Sequence, residues 1–174
     1  MAEKDSSNTD EFPEDIDELV KSYRPRHGHY PVVVYTSGTF DLFHIGHLNV
    51  LQKSKALGDI LVVGVSTDEK VASYKKKAPI IKYEDRVAII KNLKCVDLVV
   101  KQEVLTDPRL LVKYGVSVVT IGDDWKTKSL PGMDWAKEHG LKTVYLPYTS
   151  GVSSTKIKET IASGGWQEDK GGVN

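Results

Sequence analysis

Val32-Val33-Val34-Tyr35-Thr36-Ser37-Gly38-Thr39-Phe40-Asp41-Leu42-Phe43-His44-Ile45-Gly46-His47-Leu48 decides how this chain folds. It begins with a β-branched and aromatic run, 32–36, suited to a strand covered on both faces. Small polar residues follow. From 46 to 57, Leu48, Val50, Leu51 and Ala56 recur near helical spacing until Gly58 stops the helix. Strand, polar loop and helix make the repeating unit of an α/β sheet. The loop feeds a helix N-terminus, whose unpaired N–H groups and positive dipole end favour an anion.

The same alternation continues outward. Residues 60–65 read as a second buried strand, and a Lys-rich loop then leads to a helix over 83–93. Strands over 97–100, 116–121 and 143–146 alternate with helices over 108–114, 133–139 and 154–161. Strand and helix alternating about five times predict an α/β fold, a doubly wound, Rossmann-like parallel sheet in a single domain over 31–162. Such sheets bind ligands beyond the carboxyl ends of their strands, so the loops after Tyr35, Val65, Ile121 and Leu146 should carry function. Residues 1–30 read as an acidic, partly disordered N-terminal extension. Ile16, Leu19, Val20 and Tyr23 within it predict a short amphipathic helix over 15–23, ended by Arg24-Pro25. Residues 163–174 read as a flexible tail that Trp166 could anchor.

Composition narrows the function classes. The 174 residues hold 24 basic and 24 acidic side chains, so no overall field draws the protein to nucleic acid or an anionic membrane. Any polyanion must be bound locally. The apolar run 60–65 is far below the roughly 20 residues needed to cross a bilayer, and the acidic N-terminus lacks a basic, apolar leader. The expectation is a cytoplasmic protein without membrane insertion. Cys95, the only cysteine, sits between apolar neighbours and reads as an inert core thiol. His27 and His29 flank Gly28 with no third ligand nearby and read as solvated loop histidines.

The loop 37–47 is neither G-x-G-x-x-G nor a phosphate loop ending in Gly-Lys-Ser/Thr, so the two commonest nucleotide fingerprints are excluded there. His44 and His47, three apart, can face one way across the first helical turn. Each imidazole offers an N–H donor, and Gly46 between them lets a phosphate or base approach the backbone. The set suits a bridging oxygen that gains charge as a P–O bond breaks; the plainer alternative is a pair of satisfied histidines at a helix start. Ser153, Ser154 and Thr155 open a second helix, which taken alone is a capping signal. Lys75-Lys76-Lys77 taken alone is a solvated basic loop. Arg86 begins a helix, where a cation opposes the dipole, and this hints at an anionic partner, either a bound phosphate or Glu84 and Asp85.

Gly38-Thr39-Phe40-Asp41 followed by His44-x-Gly46-His47 resembles the HxGH signature of the cytidylyltransferase-like nucleotidyltransferases. Thr149-Ser150-Gly151-Val152-Ser153-Ser154-Thr155-Lys156-Ile157 resembles that family's C-terminal motif, and the interval of about 100 residues matches its small single-domain members. The resemblance implies that an acceptor phosphate attacks the α-phosphorus of CTP and releases pyrophosphate, the acceptor being a phosphorylated small alcohol such as glycerol 3-phosphate. It implies catalytic roles for His44, His47 and Lys76, and nucleotide contacts from Gly38, Thr39, Phe40, Gly46, Asp123, Trp125, Tyr148, Thr149, Gly151, Val152, Ser153, Ser154 and Thr155. Lys75 and Arg86 would meet the acceptor. Trp125 reads equally as a lid and as a core aromatic. Magnesium is implied by the triphosphate chemistry, with no metal ligands assigned, and a homodimer is implied by the small members. The chain departs from the pattern at Tyr148, where relatives usually carry arginine, and at Tyr74, where a lysine meets the acceptor; Lys156 or Lys128 could supply a replacement cation. Two other readings stay open: adenylyl transfer from ATP to a heptose phosphate, flavin mononucleotide or pantetheine phosphate, and a catalytically silent nucleotide-binding module.

Overall fold

The computed structural model describes residues 16–104, 106–126 and 132–165. In chain order the elements are α1 (Ile16–His27), β1 (Val33–Gly38), α2 (Ile45–Lys55), β2 (Ile60–Ser66), α3 (Asp68–Lys75), α4 (Tyr83–Lys91), β3 (Leu98–Gln102), α5 (Pro108–Lys113), β4 (Val116–Gly122), a 3₁₀ turn (Asp123–Trp125), α6 (Met133–Glu138), β5 (Lys142–Leu146) and α7 (Ser154–Ala162). The strands form one sheet ordered β3-β2-β1-β4-β5, with every neighbouring pair parallel. From β1 the chain steps outward to β2 and β3, then returns to the other side of β1 with β4. The order therefore reverses between β1 and β4, and the crevice beyond their carboxyl ends is where such a sheet binds ligands.

Strand alternation sorts the core onto two faces. Val33, Tyr35, Ile60, Val62, Leu98 and Val100 pack with Leu111 of α5 and Met133 and Ala136 of α6. Val34, Leu61, Val63 and Val65 pack with Leu51 of α2 and Ile90 of α4. On β4 the alternation slips: Val33 pairs with Val116 but Val34 with Val118, so one extra residue is accommodated. Val116 and Val118, two apart, consequently serve opposite faces. Cys95 is half-buried against the second cluster and burial pushes its thiol pKa up, as an inert thiol requires.

Two local expectations need correction. The Lys-rich stretch after β2 is not all loop, since α3 forms over Asp68–Lys75. Its sequence shows no apolar periodicity because Val71 is its single buried residue; capping starts it instead, Thr67 accepting from the Lys70 amide at 3.1 Å with Asp68 and Glu69 in the first turn. Likewise α1 runs past Arg24-Pro25 to His27. A proline near the end of a helix forfeits a single backbone bond, and the last turn gains the Tyr23 and His27 rings stacked at 4.1 Å. α1 packs on the sheet domain: Ile16 is 3% exposed within the first cluster, and the Tyr23 hydroxyl donates to Asp59 at 2.6 Å. The rest of the acidic extension, Lys128 and Trp166 lie outside the described residues.

Candidate active site

The loop between β1 and α2 is strained and held from two sides. Phe40 and Leu42 adopt left-handed backbone conformations, φ 53° and 49°, which for bulky residues store roughly 1–3 kcal/mol each. Asp41 between them is 5% exposed. One carboxylate oxygen accepts from the amides of Ile80 and Ile81, both at 3.0 Å, and the other from Lys158 of α7 at 2.7 Å. Burial alone would raise the Asp41 pKa, but those two amides and the Lys158 ammonium outweigh it and hold the carboxyl below its ordinary range. The Asp41 carbonyl also accepts from the Ser154 hydroxyl at 2.7 Å, which fixes α7 against the loop.

Arg86 clamps the same loop from beneath. The expectation that it meets the acceptor phosphate is corrected, because its side chain is wholly buried and its donors are engaged internally. They reach the carbonyls of Ile81 and Ser66, each at 2.9 Å, the carbonyl of Thr39 and the Asp68 carboxylate. The anionic partner inferred from its place in the first turn of α4 is thus Asp68, on the neighbouring helix.

His44 is the N-cap of α2. Its Nδ1 accepts from the Gly46 amide at 3.0 Å, so the neutral ring carries its proton on Nε2, which is the nitrogen left to donate to a ligand. The His47 ring stacks on it at 3.9 Å and is flanked by Phe40 and Phe43. Burial, then the neighbouring His44 and Lys75, push the His47 pKa down to about 4 against a weaker opposing pull from Asp41, and burial lowers His44 as well. Both rings are therefore neutral donors at pH 7 before any anion arrives. The buried Nδ1 of His47 has no hydrogen-bond partner among the described residues. Gly46 permits this packing, since a Cβ there would lie 2.8 Å from His44 Cε1.

The second motif closes on the first. A Cβ on Gly46 would be 3.5 Å from Val152 Cγ1, and Asn49 of α2 donates to the Thr149 hydroxyl at 3.1 Å. Ser153 caps α7, its hydroxyl accepting from the Lys156 amide at 3.0 Å, while Lys156 donates to the Gly151 carbonyl at 3.1 Å. Asp123, in the turn after β4, accepts from the Tyr148 amide at 3.2 Å. The N-termini of α2 and α7 therefore share the crevice beyond β1 and β4, and together they form an anion cradle.

The remaining predicted residues distribute unevenly. Lys75 rather than Lys76 turns toward the cradle, its ammonium 3.5 Å from the Thr39 hydroxyl, whereas Lys76 caps α3 with φ 54° and is exposed. Burial and the nearby Lys158 lower the Lys75 pKa, with Asp41 pulling the other way. Tyr74 shares the Thr39 hydroxyl at 3.2 Å. Trp125 is partly buried against the first cluster, which favours the core-aromatic reading over a lid. Tyr148 is 60% exposed at the rim, and Gly38, half-buried, leads into the loop. A cavity of about 300 Å³ beside α7 shares only the turn 151–153 with the cradle and is mainly apolar, so it is not the phosphate site. Among the described residues no three His, Cys, Asp or Glu side chains gather to hold a metal ion, and no helix is long and apolar enough to cross a membrane. Asp41, Asn49 and Lys158 were not singled out by residue chemistry; the one signal was that Asp41 lies inside the quoted motif.

Two helix N-termini, neutral imidazole donors and ammonium groups around one crevice of a doubly wound sheet define a nucleotidyl-transfer site, where positioning and charge neutralisation replace a covalent nucleophile. Residues 35–160 match the model of the cytidylyltransferase-like family, and the chain belongs to that family. It is 42% identical over 130 residues to a glycerol-3-phosphate cytidylyltransferase of Bacillus subtilis, covering 74% of this chain and 96% of that protein. It is 32% identical over 159 residues to the bifunctional protein HldE of Citrifermentans bemidjiense, covering 91% of this chain but 33% of that protein. A crystal structure of a lipopolysaccharide core biosynthesis protein from Thermoplasma volcanium superposes with a TM-score of 0.56 at 27% identity, covering 68% of this chain and 97% of that one.

Proposed function

We propose that this enzyme transfers the CMP group of CTP to glycerol 3-phosphate or a closely similar phosphorylated small alcohol. An acceptor phosphate oxygen forms a bond to the α-phosphorus, the bridging bond between the α- and β-phosphates breaks, and pyrophosphate leaves with the bonding electrons. The observation that carries the reading is the stacked His44–His47 pair in the crevice shared by α2 and α7. His44 Nε2–H would donate to the oxygen that gains charge, and the free amides of α7 and the Lys75 ammonium would offset the charge of the phosphates. The name of the Bacillus subtilis relative supports the choice of CTP and of glycerol 3-phosphate.

Three further readings belong to the proposal. Since the described residues build no cage for a metal, magnesium is taken to enter with the triphosphate as part of the substrate. Two copies are taken to pair, and the cytosol is taken as the site of action. The test is pyrophosphate release with each of four nucleoside triphosphates, with and without Mg²⁺, against a panel of phosphorylated alcohols and sugars. CTP with glycerol 3-phosphate should turn over, and His47→Ala should lose about 10²-fold or more in kcat. Turnover with ATP alone would move the chain to adenylyl transfer. Nucleotide binding without pyrophosphate release from any pair would sink the enzymatic reading. Light scattering checks the pairing, and cell fractionation the location.

A further inference from the structure

The sheet face that packs on α5 and α6 changes character along its length. Near its amino end it is apolar, with Val33, Ile60, Val62, Leu98 and Val100. The next residues on that face, at the carboxyl end, are Ser37 on β1, Gly64 and Ser66 on β2 and Gln102 on β3; register places Ser37 beside Gly64 and Ser66 beside Gln102. Tyr35 points its hydroxyl into this polar end, where a Cβ on Gly64 would lie only 2.3 Å from that oxygen.

Two buried donors here lack a well-formed partner among the described residues. Gln102 is 0% exposed; its Oε1 accepts from the Ser66 hydroxyl at 2.8 Å, but Nε2 has no partner among the described residues. Turning the amide over changes only which atom is left unpaired. The Tyr35 hydroxyl, 1% exposed, makes no well-formed hydrogen bond among the described residues and has the Ser37 side chain as its polar neighbour. Phenylalanine would fill the space over Gly64 equally well without burying a hydroxyl, and leucine or methionine would fill the place of Gln102. Buried polar groups without partners weaken a fold, and they concentrate where a ligand completes them. The patch borders the cradle, because Ser37 and Gly38 are consecutive and Ser37 is half-buried at the carboxyl end of β1.

We propose that Tyr35 and Gln102, with Ser37 at the entrance, form a hydroxyl-reading subsite that binds the polyol part of the phosphorylated acceptor while its phosphate lies in the cradle. This rests on the nucleotidyl-transfer reading and deepens it: the acceptor is a hydroxyl-bearing phosphate ester rather than an apolar one. A site built to bond a substrate hydroxyl rejects the analogue lacking it, because its own buried groups then stay unpaired.

The experiment compares wild type with Tyr35→Phe and Gln102→Met, using as acceptors glycerol 3-phosphate and its deoxy analogue propyl phosphate, which lacks both free hydroxyls. Tyr35→Phe should raise the KM for glycerol 3-phosphate about tenfold and leave the KM for CTP unchanged. The same substitution should alter the KM for the deoxy analogue less than twofold. Its urea midpoint should equal or exceed that of wild type, which distinguishes a functional hydroxyl from a structural one. Equal effects on both acceptors, or a loss of stability with no change in KM, would overturn the subsite and leave CTP transfer intact; a patch that merely holds a resident water gives that second result. If wild type turns over neither acceptor, the nucleotidyl-transfer reading has failed separately. Calorimetric titration with glycerol 3-phosphate then decides the subsite: weaker binding by Tyr35→Phe than by wild type supports it, and equal or absent binding overturns it.

Discussion

Replacing Gly46 with alanine should uncouple activity from stability. A Cβ at this position would stand 2.8 Å from His44 Cε1 and 2.9 Å from Nδ1, and 3.5 Å from Val152 Cγ1. The valine contact is ordinary, so the displaced group is the His44 ring, the free end of a side chain that can rotate. Rotation breaks the Nδ1 bond to the Gly46 amide and the stack on His47. Losing an N-cap costs about 1 kcal/mol, while alanine in place of glycine within a helix returns up to about 1 kcal/mol. The net change in folding stability is thus within about 1 kcal/mol of zero. The transition state meanwhile loses a positioned donor, which costs roughly 10²–10³ in kcat. Urea unfolding and pyrophosphate release, run on the same preparations, read the two quantities. His44→Ala should lose a similar factor, and the double variant little more, because both substitutions remove one interaction. An active Gly46→Ala protein, a stability loss above about 3 kcal/mol, or multiplied losses in the double variant would refute the reasoning.

Other substitutions separate the supports of the loop from its chemistry. Arg86→Met should destabilise by about 3 kcal/mol, since it strands the carbonyls of Thr39 and Ser66 and leaves Asp68 without its counter-charge; a urea midpoint unchanged from wild type would contradict this. Asp41→Asn should destabilise at pH 7 by about 2–4 kcal/mol by weakening two amide bonds and the Lys158 pair. Because the folded pKa of Asp41 is depressed, its contribution is complete above the unfolded value and fades as pH falls through the folded one, so the acid slope of stability should flatten in the variant. His47 also has a depressed folded pKa, about 4 against 6.5, so the stability of wild type should decline as pH falls from 6.5 to 4. His47→Asn should remove that part of the slope, as denaturant unfolding across the window will show.

The sheet was legible because its strands are short, apolar and β-branched, and a parallel sheet covered on both faces needs such runs. Val33 to Val34 and Ile60 to Val63 could scarcely be anything else at that length. What escaped was structure without an apolar stripe. In α3, Thr67 and two acidic residues supply the start signal, and a lysine-rich composition conceals it. The bulge on β4 escaped as well, since its alternation slips by one residue only in the pairing with β1.

The site was legible to the extent that its chemistry is local. His44, Gly46 and His47 lie within one helical turn, and their spacing states the geometry directly. Lys75 and Lys76 show the opposite case: adjacent residues of one charge are indistinguishable until the helix that carries them is known, and the end of α3 decides which faces Thr39. Arg86 carries the larger lesson. An arginine in the first turn of a helix implies an anion, and that inference was sound; the anion is Asp68, brought in by α3, the element whose composition hid it. A missed helix thus became a misassigned ligand contact. The polar end of the sheet at Ser37, Ser66 and Gln102 follows the same logic, because single polar residues at the ends of three strands mean little until register sets them side by side. Chemistry that depends on one turn can be read from sequence, whereas chemistry that depends on pairing between strands must wait for the register.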